Sequence, residues 1–236
     1  MKADLTVSPA SESPAVPHVQ LMDQMYRLQR YFYDFTRKYY LFGRDRLIAD
    51  MPVSPADHVI EVGCGTGRNL VLLARKHPAA KFYGVDAAHV MIDTAQKKMA
   101  SKHLNQTVFL RQGLAEDLNA NAWFKVPAFD RVFFSYSLSM IPTWPAAIEA
   151  ALANLKPNGE LWVVDFWDQA GYPKPFAKLL KLWLALFHVH HRPELLAYLQ
   201  KLESDGKGKL TIEPIGQRYA YLARFILTRP TIPSAG

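Results

Sequence analysis

Three glycines at alternate positions, Gly63, Gly65 and Gly67, close the apolar run Val59-Ile60-Glu61-Val62 and lead straight into a helical pattern that begins at Asn69. Glycine tolerates positive φ and, lacking a Cβ, lets a bulky ligand lie against the main chain. The spacing is G-x-G-x-G. In the dinucleotide fingerprint the third glycine falls one residue later, so that a helix N-terminus can hold a pyrophosphate; here Arg68 takes that place. The spacing therefore disfavours a nicotinamide dehydrogenase and suits a ligand without phosphates, such as a nucleoside bearing an amino-acid tail. Asp86 follows 19 residues after Gly67 at the end of the next apolar run, where a carboxylate can accept hydrogen bonds from ribose hydroxyls.

The elements that must position these groups can be read from periodicity. Strands are expected at His58 to Val62, Lys81 to Val85 (ending in Asp86), Thr107 to Arg111, Asp130 to Phe134 and Glu160 to Asp165. Helices are expected at Asn69 to Lys76, His89 to Lys102 and Ala146 to Leu155, with Lys156-Pro157-Asn158-Gly159 as a turn. Alternating strands and helices predict an α/β fold, a doubly wound and mostly parallel sheet covered on both faces. Lys209 to Ile215 and Tyr219 to Leu227 are close enough to pair as an antiparallel edge hairpin, which brings the sheet to seven strands. Around this core, residues 1–20, rich in Pro, Ser and Ala, read as a disordered leader. Residues 21–236 read as a single domain: a helical arm (21–50), a ligand-binding core (55–170), a helical insertion (171–206) and a closing hairpin (207–230).

Composition narrows the class. Of 236 residues 50% are apolar and 21% charged, enough to build a substantial core. The single cysteine, Cys64, excludes an internal disulfide and a thiolate metal site. The net charge is +7, and residues 171–236 hold ten basic against four acidic residues, which points to an anionic surface as partner. Lys174, Lys178 and Lys181 recur at helical spacing among Phe176, Leu179, Leu180, Leu182, Trp183, Leu186 and Phe187, the pattern of a basic amphipathic helix lying in a membrane interface. Leucines interleave these lysines more than residues able to stack on bases do, which argues against nucleic acid. His188, His190 and His191 lack an acidic or thiol companion, so no metal is expected.

Glu61-Val62-Gly63-Cys64-Gly65-Thr66-Gly67 together with Asp86 resembles the class I S-adenosylmethionine-dependent methyltransferases, over roughly residues 55–165. The resemblance implies S-adenosylmethionine as cofactor, with Glu61 orienting the loop and the cofactor's amino group, Gly63 and Gly65 passing its methionine portion, Asp86 holding the ribose, and Gly67 and Ala87 belonging to the same binding site. Gly113-Leu114-Ala115-Glu116-Asp117 stands where many members read Gly-Asp-Ala. Leu114 cannot accept from the adenine amine, so either the Leu114 and Ala115 backbone frames the base while Gln112 or Glu116 makes the polar contact, or adenine is held by shape. Ser135, before Tyr136 and Ser137, falls where the family lines the reacting end of the cofactor.

The flanks are more particular. Met25-Tyr26-Arg27-Leu28-Gln29-Arg30, the run from Tyr33 to Ile48, and Trp183 to Val189 resemble the betaine-lipid methyltransferases. That resemblance implies conversion of diacylglyceryl-homoserine to its N-trimethyl form, a lipid substrate at an anionic membrane, a cytoplasmic and peripheral location on the inner membrane face, and a second enzyme that makes the precursor. Other acceptors, a phospholipid amine, a quinone or a small soluble amine, remain open. Methylating an amine three times requires in-line placement and aromatic faces for the growing ammonium. Tyr33, Tyr40 and Tyr136 are the catalytic candidates, with Tyr39 and Asp34 nearby in sequence, and Arg44 is the candidate for binding a carboxylate of cofactor or substrate.

Overall fold

Seven strands, β1 (His58–Val62), β2 (Lys81–Asp86), β3 (Val108–Gln112), β4 (Phe129–Ser135), β5 (Leu155–Phe166), β6 (Gly208–Ile215) and β7 (Ala220–Leu227), form one sheet in the order β3-β2-β1-β4-β5-β7-β6. The computed structural model describes residues 41–173, 175 and 192–228. Strands β1 to β5 run parallel, while β7 pairs antiparallel with both β5 and β6. The helices are α1 (Arg44–Asp50), α2 (Arg68–Lys76), α3 (His89–Ser101), α4 (Ala120–Phe124), α5 (Trp144–Ala153) and α6 (Pro193–Ser204).

Because the central strands are covered on both sides, they read as near-continuous apolar runs, and their side chains divide into two cores. One face of the sheet (Val59, Phe82, Phe133, Trp162, Val164) packs against Leu47 and Ile48 of α1, Leu70 and Leu73 of α2, and Ile92 and Met99 of α3. The other face (Ile60, Val85, Phe134, Val163, Phe225) packs against Ile148 and Leu152 of α5 and Leu195 and Leu199 of α6. Each fully buried Leu, Ile or Phe contributes roughly 1.5–3 kcal/mol. Among the described residues no helix is long and apolar enough to cross a membrane.

The seven-stranded α/β sheet and its antiparallel edge pair are as expected from sequence. Two local expectations need correction. The helix expected to reach Leu155 stops at Ala153, because Asn154 turns its side chain to other elements, accepting from the Ala120 amide at 2.7 Å and donating to the Leu118 carbonyl at 2.8 Å. Leu155 then pairs with Phe129 as the first residue of β5. The turn Lys156 to Gly159 therefore lies inside β5: the register steps from Phe129 opposite Leu155 to Arg131 opposite Glu160, with Asn158 at φ 62°. The helices α4 and the short 3-10 turn Ala115–Asp117 were not expected from sequence.

Parallel β1 to β5 bring the carboxyl ends Val62, Asp86, Gln112, Ser135 and Phe166 to one edge of the sheet, and antiparallel β7 brings its amino end there too. That edge is the crevice where open α/β sheets bind ligands.

Candidate functional site

Beyond β1 the chain is still pinned to β2, with the amides of Gly63 and Cys64 both donating to the Val85 carbonyl at 2.8 and 2.9 Å. Gly63, Gly65 and Gly67 then take φ of 76°, 51° and 72°, the left-handed region that favours glycine. A Cβ on Gly63 would collide with the side chain of Ser137, and one on Gly67 with Met99 and Ala95 of α3. Ser137 in turn donates its hydroxyl to the Val62 carbonyl at 2.8 Å, tying the end of β4 to the end of β1.

Asp86 links this loop to β2. Its Oδ2 accepts from the Gly65 amide at 2.8 Å and its Oδ1 from the Ala88 amide at 3.0 Å. The carboxylate thus sits between the glycine loop and the start of α3, at the place where the sequence reading puts a ribose. Glu61, buried in β1, accepts from Asn69 Nδ2 at 2.7 Å, which fixes the start of α2 against the loop. Half-buried Ala87 accepts at its carbonyl from Gln112 Nε2 at 3.0 Å, which holds the Gln112 side chain beside the end of β2. The Gly113 amide donates to the Asp86 carbonyl at 3.1 Å, drawing extended, half-buried Leu114 and buried Ala115 to the same edge.

The end of β4 is built differently. The Ser135 hydroxyl is buried without a hydrogen-bond partner among the described residues. Tyr136 is held at φ 56°, an uncommon conformation for an aromatic residue that costs on the order of 1–3 kcal/mol. Its ring meets Phe166 at 4.6 Å, and Phe166 meets Tyr219, which meets Phe42. The Tyr136 hydroxyl donates to the Phe42 carbonyl, and burial pushes the phenol well above its usual range, with the charge of Arg44 opposing. Arg44 opens α1 after Gly43, whose φ of 90° turns the chain there. Arg68, the residue that displaces the third dinucleotide glycine, forms an ion pair with Asp45 of α1 at 2.8 Å. Tyr33, Tyr39, Tyr40 and Asp34, like His188, His190 and His191 and most of the basic amphipathic run, lie outside the described residues.

One charged group at this edge carries no role in the sequence reading. Asp165, near the carboxyl end of β5, is fully buried; its Oδ2 accepts from the Ser139 amide at 3.0 Å and its Oδ1 from the Phe166 amide at 2.8 Å. Burial raises its pKa to about 6, against the opposing effect of those two amides and of Arg192. Tyr221, opposite Asp165 on β7, buries a hydroxyl with no partner among the described residues. The available signal was the one used for Asp86, an acidic residue closing an apolar strand.

This fold and strand-end geometry define the class I methyltransferase architecture. Residues 59–159 match a family described as a methyltransferase domain. Over 185 residues, 78% of the chain, the sequence is 25% identical to a demethylmenaquinone methyltransferase of Symbiobacterium thermophilum, and over 117 residues, 49% of the chain, 30% identical to a trans-aconitate 2-methyltransferase of Paracidovorax citrulli. The matched regions span 66% and 41% of those two proteins' own lengths. Among solved structures, an S-adenosylmethionine-dependent methyltransferase named SibL superposes with a TM-score of 0.63 at 21% identity, covering 86% of this chain and 59% of its own, a likeness of fold. Residues 59–159 thus resemble a methyltransferase domain, within a chain that shares the fold of S-adenosylmethionine-dependent methyltransferases.

The residues present fit S-adenosylmethionine: the glycine cradle leaves the main chain bare, Leu114 and Ala115 offer an apolar frame, and the Ser135 hydroxyl is buried without a partner among the described residues.

Proposed function

We propose that the chain is an S-adenosylmethionine-dependent N-methyltransferase that converts diacylglyceryl-homoserine to its N-trimethyl betaine form at an anionic membrane surface. What carries the reading is the resemblance of the run from Tyr33 to Ile48 and of Trp183 to Val189 to betaine-lipid methyltransferases. It is supported where that run enters the described structure: Phe42 and α1 dock at the ends of β4 and β5, through the Tyr136 hydroxyl and the Phe42–Tyr219 ring contact at 5.2 Å. The arm and the strand ends that face a cofactor therefore share one wall.

When bound, the cofactor supplies a methyl group already activated on a sulfonium. The chain's own work is placement. Asp86 and the glycine loop bind and orient, the Ser135 hydroxyl offers a hydrogen bond at the end of β4, and the buried Tyr136, Phe166 and Tyr219 rings brace that end from behind. Arg44 is a partner for the homoserine carboxylate. The basic run 174–181 holds the enzyme at the inner membrane face, each Lys contributing about 1 kcal/mol there. A separate enzyme supplies the diacylglyceryl-homoserine.

A second reading, methylation of a quinone ring, is favoured by the relatives named demethylmenaquinone methyltransferase. Labelled S-adenosylmethionine offered with diacylglyceryl-homoserine or demethylmenaquinone in liposomes, followed by mass spectrometry, separates the two. Stepwise gain of one, two and three methyls on the homoserine lipid, absent with Asp86→Ala, is the expected result. Transfer to the quinone alone overturns it.

A further inference from the structure

We infer that Asp165 is a positioning residue that sets acceptor binding by clamping the loop after β4 to the head of α6. The inference rests on the methyltransferase reading, though not on which acceptor is used. Ser139 is the middle of the clamp. Its amide donates to Asp165 Oδ2 at 3.0 Å, and its carbonyl accepts from Arg192 Nε at 3.3 Å. Arg192 immediately precedes α6, whose Leu195 and Leu199 pack on the sheet. Ser139 therefore joins β5 on one side to the head of α6 on the other, three residues beyond Tyr136 and four beyond Ser135.

A buried carboxylate suits this task because it has two acceptor oxygens and here faces two amides, those of Ser139 and Phe166. Asparagine of the same shape has one acceptor oxygen and would point an N–H donor at one of those amides. Leaving a buried donor unmatched is costly, and relaxation of the Ser139 loop is the route by which the mismatch is relieved. The charges around the carboxylate belong to the same arrangement: Arg192 from the head of α6, with the neutral phenols of Tyr136 from β4 and Tyr221 from β7. The clamp's own hydrogen bonds run to β5 and α6, while the neighbours Ser137 and Met140 reach Val62 and Ala88 beside the glycine loop; an effect on the acceptor larger than on the cofactor is therefore what distinguishes the clamp.

Arg192→Ala, Asp165→Asn and the double variant test it, with S-adenosylmethionine affinity by calorimetry and steady-state kinetics on whichever acceptor the wild type methylates. The expected result is a five- to twentyfold rise in acceptor KM for Arg192→Ala, with kcat and cofactor affinity within twofold of wild type. Arg192→Lys, which keeps a donor to the Ser139 carbonyl, restores most of the loss. Asp165→Asn should raise acceptor KM by at least as much, and the double variant should be no worse than the stronger single one, because residues in one network do not add. An unchanged acceptor KM in Arg192→Ala, or multiplicative effects in the double variant, overturns the clamp. If Asp165→Asn does not fold, the Arg192 pair decides alone. If the wild type methylates no acceptor offered, the functional reading is what fails; the clamp is then judged by hydrogen exchange in the peptide containing Ser139. That exchange should be at least tenfold faster in Arg192→Ala, and an unchanged rate overturns it.

Discussion

The two ends of the ligand crevice are built on opposite plans. At β1 and β2, recognition is a matter of main chain: three glycines at positive φ, amides donating to Val85, and a carboxylate, Asp86, that accepts from the Gly65 and Ala88 amides. At β4, β5 and β7 the wall is made of side chains from distant segments, with Tyr136 in a strained conformation, the Ser135 and Tyr221 hydroxyls buried without partners among the described residues, and Asp165 kept partly protonatable by burial. A backbone cradle can serve one invariant ligand, whereas a side-chain wall can be altered residue by residue. This is the division of labour expected when one methyl donor serves many acceptors.

The comparison breaks most sharply at Asp86. Replacing it with Ala removes the acceptor for the Gly65 and Ala88 amides and, on the proposed function, for the ribose as well. Hydrogen bonds to charged groups contribute about 1.5–3 kcal/mol each, so cofactor affinity by calorimetry should fall on the order of a hundredfold. Acceptor binding, if measured separately, should change far less. An affinity within fivefold of wild type would show that the loop holds its ligand without the carboxylate.

Asp165 offers the corresponding test on the other wall. Its folded pKa of about 6 lies above the ordinary value of 3.8, so the folded protein binds a proton more tightly than the unfolded chain. The resulting stability is fully present below about pH 4 and is lost as pH rises to about 6, with a total on the order of 3 kcal/mol. Denaturant titrations of wild type and Asp165→Asn at several pH values should differ by a term that falls across this window and is flat above it. A difference independent of pH would remove the buried carboxylate from the account.

The two walls were also unequally legible from sequence. The glycine loop and Asp86 could be read because positive φ and a strand-end carboxylate each leave a local signature, glycine at fixed spacing and an acid closing an apolar run. The strands around them were legible for the same reason, since burial on both faces writes a continuous apolar run. The acceptor wall left little local trace. Tyr136 donates to a carbonyl 94 residues away, and Arg192 bonds to Ser139 across 53; contacts of that kind depend on topology, not spacing. Asp165 had the same local signature as Asp86 but lacked a glycine loop beside it to single it out. The break at Ala153 was missed because Asn154 serves as acceptor for α4, an element too short for periodicity to announce.

Tyr136→Phe probes how far the strained end of β4 depends on the arm. It removes the hydroxyl that donates to the Phe42 carbonyl but keeps the ring against Phe166. A neutral hydrogen bond contributes a net of about 1 kcal/mol, so thermal unfolding should drop by a few degrees and acceptor KM should rise several-fold, with cofactor affinity held. A loss of cofactor affinity equal to that in acceptor binding would mean the arm serves both walls.

The smallest effect belongs to the contact that crosses between the walls, Arg68 with Asp45. The pair joins the head of α2 to α1, and it is the feature that makes the loop look least like a dinucleotide site. Yet the Asp45 side chain is 79% exposed and that of Arg68 37%, so solvent screens the attraction and holding two flexible chains together costs entropy. Asp45→Ala should therefore cost no more than about 0.5 kcal/mol by denaturant titration, less still at high salt. Arg68 stands where the dinucleotide spacing would place a third glycine, whether or not the ion pair is made. A larger loss on removing Asp45 would instead make α1 a strap that holds the cofactor loop in shape, and would join the two walls into one unit.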